Sequence, residues 1–412
     1  MGSFTVTAAS PPDRTREQEA AMARLAFIDW ILSDARLLPD LPSLLDAFAG
    51  KLLAAGVPLV RMTLGLRLLH PQIRFKNYYW RRDEEAVEIV QRGHDTEKSP
   101  EYLASPIAAI LDQGAEALRF RIETIVPPWP YPIVGELHEQ GATDYVIMAV
   151  TFANGRRNMA SFATDRPGGF STADLALIDG VMPAFVTVVE AITLRFLATT
   201  VLDTYVGRRT GARILSGEIR RGSGADVRAV LWYCDLRGFT RLADKLPREE
   251  LIALLNNYFE VMGGAVEAQG GEILKFIGDA MLALFPVAED DGNGEQAAAF
   301  RALTAAETAL SAMQTLNGER AAWGQPILRC GISLHVGDVM YGNIGAPDRL
   351  DFTIIGPAVN LLSRIEGLCS RLDRPVLTSA AFAALCPGRL ASLGWHPVKG
   401  LSEPVEVYGL VE

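Results

Sequence analysis

The second half of the chain carries an order of strands and helices that few folds satisfy. From Ala229 an apolar run, AVLWYC, is followed by Asp-Leu-Arg-Gly-Phe-Thr and then by a helix whose apolar residues lie on one stripe. Two short apolar runs within GGEILKFIGDAMLALF come next and reverse at Gly278-Asp279. This order of strand, helix, hairpin, helix and strand predicts an α+β fold with a mostly antiparallel sheet.

The same order predicts that two carboxylates lie side by side. In such a sheet the end of the first strand lies beside the tip of the central hairpin, so Asp235 and Asp279 are expected to be neighbours. Two converging carboxylates can hold two divalent ions, an arrangement used for displacement at phosphorus. Either Asp alone would indicate only a turn or a helix cap, whereas the pair within these flanks is more specific.

Composition and charge exclude some classes of protein. At roughly 150 residues per domain, 412 residues indicate two to three domains, and 49% apolar with 21% charged residues exclude extensive disorder. The formal charge, 39 basic minus 49 acidic residues, is −10 and argues against a nucleic-acid partner, although a locally basic nucleotide site is compatible with it. The cysteines form no CxxC pair and no apolar signal peptide is present, which favours the cytoplasm; they are Cys234, Cys330, Cys369 and Cys386.

Residues 1–202 have a different organisation. After a lead-in at residues 1–20 that is expected to be disordered, helical spacing from Arg16 to Ala55, broken near Pro39, predicts two helices. Strand-like runs occur at 59–69, 145–152 and 159–164, and the last two flank Asn154-Gly155, which predicts a hairpin. Ser171 is expected to cap a long helix.

Two segments near the middle of the chain allow alternatives. The apolar stretch 180–202 contains Pro183, Glu190 and Arg195, so we interpret it as a buried or self-associating helix and predict no membrane span. The arginine-rich segment 203–228 is either a solvated linker or an element that transmits a signal between the two halves.

The first half resembles GAF domains, or less closely PAS domains, in its architecture of helices, a central antiparallel sheet and a long closing helix. This resemblance implies a sensor domain at residues 21–202 with an unknown small-molecule or protein regulator. His70, His94 and His138 could be imagined as haem ligands, but isolated histidines are more often structural. No ligand follows from the sequence.

The second half resembles the class III nucleotidyl cyclase catalytic domain. The resemblance rests on the successive motifs CDLRGFT, GGEILKFIGDAMLALF, RCGISLHVGDVMYGNIG, DFTIIGPAVNLLSRIE and PVKGLSEPVEVYGL. It implies a ferredoxin-like, palm-type domain over residues 229–412. It also implies an adenylate cyclase that makes 3′,5′-cyclic AMP and pyrophosphate from ATP. The implied enzyme is a homodimer, because in this family the metal ligands and the residues that contact the purine come from different subunits.

The family pattern assigns the metal and phosphate contacts. Asp235, Asp279 and the carbonyl of Leu236 would bind two Mg²⁺ or Mn²⁺ ions. Gly238, Phe239 and Thr240 would open a helix whose free N–H groups face the triphosphate. Lys399, or alternatively Arg349, would also contact the triphosphate.

The remaining assignments concern the base, the ribose and the reacting phosphate. Lys275 would contact the purine, and a lysine donor suits N1 of adenine, which favours ATP over GTP. Thr353 stands at the second purine-contacting position, beside Lys275, where many adenylyl cyclases have Asp. Asn360 would position the ribose and Arg364 would stabilise charge on the α-phosphate in the transition state. This Lys/Thr pair also resembles a subgroup associated with bicarbonate responsiveness.

Two alternatives stay open at this point. One is a guanylate cyclase, which Lys275 disfavours. The other is a catalytically silent sensor dimer that only binds nucleotide, which the full set of predicted site residues disfavours.

Overall fold

The computed structural model describes residues 14–288 and 293–411. The chain divides into two compact units, one ending at Val201 and the other starting at Leu202. The expected lead-in at residues 1–20 lies mostly outside the described residues, and its described part, from residue 14, belongs to the first helix rather than to disordered chain.

The first unit contains six α-helices and six strands among the described residues. The helices are α1 Arg14–Ser33, α2 Leu41–Ala54, α3 Pro100–Leu103, α4 Pro106–Leu111, α5 Pro132–Glu139 and α6 Thr172–Val206, whose end passes the unit boundary. The strands are β1 Arg61–Arg67, β2 Phe75–Arg81, β3 Glu88–Arg92, β4 Ala117–Phe120, β5 Asp144–Thr151 and β6 Arg157–Thr164. Single 3₁₀ turns occupy Ala35–Leu37, His94–Lys98 and Ile122–Thr124.

These strands form one antiparallel sheet in the order β3-β2-β1-β6-β5-β4. The predicted hairpin at Asn154-Gly155 is confirmed, since β5 and β6 pair from Asp144 with Thr164 to Thr151 with Arg157. Gly155 has a φ of 79°, a conformation that glycine adopts without steric cost.

Apolar side chains cover both faces of this sheet. On one face α1, α2 and α6 pack together, and the rings of Phe48 and Phe185 stack with centroids 4.0 Å apart. On the other face Ile110, Val134 and Leu137 pack against Ile147. Alternate residues of the central strands point to opposite faces. Because both faces are covered, these strands are buried almost throughout, as at residues 62–66 of β1 and 158–164 of β6.

Helix α6 is 35 residues long and begins at Thr172, directly after the predicted cap residue Ser171. Its cap is reciprocal, because the Asp174 N–H donates to the Ser171 hydroxyl at 3.1 Å and the Ser171 N–H donates to the Asp174 carboxylate at 2.7 Å. Val181, Phe185 and Val189 are buried in the core. Of the described helices, α6 alone has the length and apolar composition of a membrane-crossing segment, a test that a buried core helix also passes.

The second unit is also a mixed α+β structure. Its helices are α7 Arg208–Leu215, α8 Phe239–Ala243, α9 Arg248–Ala268, α10 Gly294–Ala322, α11 Pro357–Leu372 and α12 Ala380–Ala383. Its strands are β7 Gly224–Leu236, β8 Glu272–Ile277, β9 Ala280–Pro286, β10 Cys330–Ala346, β11 Arg349–Ile355, β12 Val376–Ser379, β13 Leu390–His396 and β14 Val405–Leu410.

The sheet of this unit has the order β13-β14-β12-β10-β7-β9-β8, with β11 paired to β10. All these pairs are antiparallel except β10 with β12. Strand β7 therefore lies between β10 and β9, and its apolar residues serve both faces. Trp232 packs towards α9 and α10, whereas Leu231 packs in the cluster that includes Leu362 of α11.

The segment 203–228 is more ordered than a solvated linker. It holds the end of α6, the whole of α7 and the start of β7. Thr210 is fully buried, and its hydroxyl lies 2.6 Å from that of Tyr341 on β10. The sequence left a solvated linker and a transmission element open, and these tertiary contacts give the segment a packed surface. Its role as a transmission element stays a prediction.

Candidate active site

Asp235 and Asp279 lie side by side, as the order of elements predicts. Asp235 is the last residue but one of β7, and Asp279 lies in the reversal between β8 and β9, where Gly278 has a φ of 65°. Cys234 pairs with Met281, so the end of β7 runs alongside the hairpin tip. The two carboxyl groups lie within hydrogen-bonding reach of each other.

The electrostatics at this point favour a bound cation. Burial raises the pKa of Asp235 to about 7, the hydrogen bond and negative charge of Asp279 add to the increase, and the Leu236 N–H, 2.9 Å from Oδ1, opposes it. Two half-buried carboxylates repel each other unless a proton or a cation lies between them.

A third carboxyl group lies beside this pair, and sequence reasoning missed it. Glu366 is on α11, and its carboxylate occupies the space above Gly331, where a Cβ would overlap with Oε1. Gly331 of β10 pairs directly with Asp235. Burial raises the pKa of Glu366; the positive charge of Arg237 lowers it, and the charge of Asp279 raises it.

Arg237 brings a positive charge close to Glu366. Its guanidinium donates to the carbonyl oxygens of Cys369 at 2.8 Å and of Arg374 at 2.5 Å, and its side chain is 12% exposed. These bonds attach the end of β7 to the C-terminal part of α11.

The donor set fits hard divalent ions such as Mg²⁺ or Mn²⁺. Carboxylate oxygens are their preferred ligands, and Mg²⁺ is commonly bound by one or two carboxylates together with substrate phosphates and water. Within residues 14–288 and 293–411, no group of three or more His, Cys, Asp or Glu side chains is arranged to hold a metal. Glu366 lies next to the predicted ligands, and Leu236 is buried at the end of β7.

The residues predicted to face the triphosphate do start a helix, although a short one. Gly238 precedes α8 with a φ of 75°, and Phe239 and Thr240 are the first two residues of its single turn and a half. Their contact with phosphate stays a prediction.

Lys275 forms an ion pair with Asp351 of β11. Sequence reasoning placed Thr353 in that position. Asp351 and Thr353 are two residues apart on one strand and so share a face, with Asp351 paired to Ile344 and Thr353 to Gly342. The lysine thus has a carboxylate partner in addition to the predicted threonine on the same surface. An acid two residues before Thr353 was the available signal in the sequence.

Asn360 and Arg364 lie one turn apart on α11, Asn360 exposed and Arg364 half-buried. A Cβ at Gly400 would lie 3.1 Å from Nη2 of Arg364, so the arginine reaches the loop that carries the exposed Lys399. Arg349 is exposed at the start of β11.

The structure thus brings the predicted residues together in groups. One group holds Asp235 and Asp279 with Glu366; the second holds Lys275 with Asp351 and Thr353; the third holds Asn360 and Arg364 with the Lys399 loop. Across the described part of the chain, no hydrogen bond or ion pair joins the first group to the other two.

Comparison with known proteins identifies the unit that carries these groups. Residues 226–406 match the family described as the adenylate and guanylate cyclase catalytic domain. Residues 226–406 belong to the class III cyclase family.

Proteins similar to part of this chain include named adenylate cyclases. Adenylate cyclase of Anabaena cylindrica is 36% identical over 200 residues, which are 46% of this chain and 38% of that protein. Adenylate cyclase 1 of Rhizobium meliloti strain 1021 is 33% identical over 183 residues, which are 43% of this chain and 27% of that protein. The chain thus spans well under half the length of these two relatives.

Solved structures are also similar to part of the chain. The adenylyl cyclase CyaB from P. aeruginosa is 31% identical with a TM-score of 0.42, covering 46% of this chain and 96% of that one.

Proposed function

We propose that this protein is an adenylate cyclase that converts ATP to 3′,5′-cyclic AMP and pyrophosphate. The observation that carries the proposal is the meeting of Asp235 and Asp279 inside a cyclase domain, where burial, together with the hydrogen bond and charge of Asp279, raises the pKa of Asp235. The names of the Anabaena and Rhizobium relatives support adenylate as the product.

In the proposed reaction, the ribose 3′-hydroxyl attacks the α-phosphorus, and the bond from that phosphorus to the bridging oxygen of pyrophosphate breaks. Asp235, Asp279 and the Leu236 carbonyl would hold two Mg²⁺ or Mn²⁺ ions, which supply activation of the hydroxyl and neutralisation of phosphate charge. Arg364 is placed to stabilise negative charge on the α-phosphate, because guanidinium is planar and permanently charged. Asn360 would orient the ribose.

Lys399, or Arg349 in its place, would bind the triphosphate together with the N–H groups at Gly238, Phe239 and Thr240. Both cationic side chains are exposed and available to a ligand.

Adenine recognition is proposed for the surface that carries Lys275. The ammonium group donates, which suits the N1 acceptor of adenine, whereas guanine presents an N–H there. Asp351 holds the ammonium by an ion pair, and the hydroxyl of Thr353 on the same strand face can accept from the adenine amino group.

We also propose that two chains form each active site. Within the described residues, no hydrogen bond or ion pair links the group of Asp235 and Asp279 to the groups that contain Lys275 and Arg364. This is expected if the carboxylates of one chain serve one active site while its lysine and arginine serve another. A head-to-tail homodimer would pair the carboxylates of one chain with the lysine and arginine of its partner.

The first unit is proposed to be a GAF-like sensor at residues 21–202, followed by the transducing element 203–228 and the catalytic domain 229–412. The six-stranded antiparallel sheet with helices on both faces and a long final helix supports this assignment. Packing of the first half of α6 into the core supports a cytoplasmic protein without a membrane span.

The decisive experiment measures cyclic AMP made by the purified full chain with ATP and Mn²⁺. We expect Asp279→Ala to lower the rate by at least about a hundredfold, because one predicted metal ligand is lost. Asp226→Ala is the matched control: Asp226 is exposed near the start of β7, far along the strand from Asp235, and its loss should leave the rate unchanged.

The outcome separates the alternatives. Faster turnover of GTP than of ATP would make the protein a guanylate cyclase. Nucleotide binding without turnover with either metal would support the silent sensor dimer and contradict the proposal.

A further inference from the structure

The first unit contains a cavity of about 370 Å³ that is separate from the cyclase site. Its walls are the β1 and β2 side of the sheet, the start of α2 and the second half of α6. Most of the lining is apolar, including Leu66, Ile192 and Phe196. The volume lies within the roughly 300–1,000 Å³ typical of small-molecule sites.

Two basic side chains line this apolar cavity. The Lys76 ammonium lies 4.7 Å from the ring centroid of Phe196 and 5.4 Å from that of Tyr78. Arg195 lies on α6, next to Phe196. In the described part of the chain neither base has a carboxylate within ion-pair distance. Burial also lowers the pKa of Lys76, which reflects the cost of a positive charge that lacks an anion.

One acidic residue, Asp40, also lines the cavity, but its carboxylate has a structural partner. Asp40 caps α2, where Oδ1 accepts from the Ser43 N–H at 2.9 Å. The cavity therefore has two basic groups without ion-pair partners and one carboxylate that is already hydrogen-bonded. An anion entering it would gain charge-assisted hydrogen bonds that no protein group supplies.

We infer that this cavity binds a small anion with an apolar body, such as an aryl or alkyl carboxylate. Its carboxylate lies between Lys76 and Arg195, and its apolar part packs against Leu66 and Phe196. The ligand then contacts the sheet and α6 together. This binding does not depend on the cyclase activity proposed above.

Three nearly isosteric probes test the chemistry of the ligand by isothermal titration calorimetry on the full chain. They are 4-phenylbutyrate, 4-phenylbutan-1-ol and 4-phenylbutylamine. The carboxylate should bind about tenfold or more tightly than the alcohol, because hydrogen bonds between charged groups are the stronger ones, and the amine should bind least.

Variants test the site. Lys76→Met keeps the apolar stem and should weaken 4-phenylbutyrate binding about tenfold. Lys98→Met, which removes an exposed lysine outside the cavity, should not change it. Thr199→Trp places a bulky group at an exposed cavity position and should abolish binding without lowering the melting temperature.

Equal binding of the amine and the carboxylate, or unchanged binding by Lys76→Met, would overturn the inference. So would the absence of binding by all three probes. If, in addition, Thr199→Trp converted dimers to monomers in sedimentation velocity, the occupant of the cavity would be a second copy of the chain.

Discussion

Lys275 and Asp351 lie on different strands, β8 and β11, and their ion pair depends on tertiary structure alone. The lysine is 32% and the aspartate 59% exposed, so the pair adds little to stability. Its proposed value lies in directing the ammonium group towards a purine. A functional ion pair at an exposed surface is therefore expected to affect substrate choice more than folding.

Asp351→Asn tests this point. Without the carboxylate, Lys275 loses the charge that orients it, so kcat/KM for ATP should fall about tenfold while the melting temperature stays unchanged. Asp348→Asn, an exposed acid in the preceding turn, is the matched control and should keep the original ratio of ATP to GTP turnover. An unaltered kcat/KM in the Asp351 variant would remove this residue from the site.

Sequence reasoning found the residues that the order of elements brings together and missed those that packing brings together. Asp235 and Asp279 could be placed as neighbours because a strand end and a hairpin tip meet in this topology. Glu366 could not, since its approach to Asp235 depends on how α11 packs over β10 and on the space above Gly331. Asp351 was missed although it stands two residues before Thr353 on the same strand face, because its ion pair with Lys275 depends on how β11 lies beside β8.

At the scale of elements, local sequence patterns were sufficient to predict turns and helix caps, because local chemistry decides these structures. The hairpin at Asn154-Gly155 and the cap at Ser171 both follow from turn and cap preferences. The segment 203–228 did not follow, because burial of Thr210 against Tyr341 overrides a composition typical of linkers. The order of strands across the sheet, with β11 off the main path, likewise had no local signal.

The packing of α11 on β10 can be tested with Gly331→Ala. A Cβ there would overlap with Glu366 Oε1 and lie 2.9 Å from Cβ of Cys369, so we expect a destabilisation of about 1–3 kcal/mol and a lower melting temperature by circular dichroism. Adding Glu366→Ala should recover part of the loss, because it removes one of the two obstructions.

The control for that substitution is Gly318→Ala in α10. Apart from the neighbouring backbone of its own helix, no atom lies within 4 Å of a Cβ at Gly318. Because alanine also favours helix, this change should be neutral or stabilise by up to about 1 kcal/mol. Equal melting temperatures for the two alanine variants would contradict the close packing of Glu366 over Gly331.

At the scale of the whole molecule, the proposed dimer predicts complementation between two inactive variants. Asp279→Ala removes a metal ligand, and Arg364→Ala removes the proposed transition-state charge, so each alone should be inactive. In an equimolar mixture half of the dimers are mixed, and each mixed dimer has one intact site of two. The mixture should regain about a quarter of the normal rate.

Mixing Asp279→Ala with Asp235→Ala is the control, because both changes affect the same group and no intact site can form. Recovery in that mixture would show that Asp235 and Asp279 of one chain do not serve the same site. No recovery in the first mixture would show that each chain carries a complete site.

The central pairing of β7 and β10 limits how such an enzyme can be controlled. The two strands are in register over thirteen pairs, from Leu236 with Cys330 to Gly224 with Gly342, and β9 covers the other edge of β7. Backbone amides in such a ladder exchange with solvent only when most of a domain opens. Moving the backbone of Asp235 would therefore require opening much of this sheet. In the proposed dimer, an effector would act instead by changing how often the second chain places its lysine and arginine at the site.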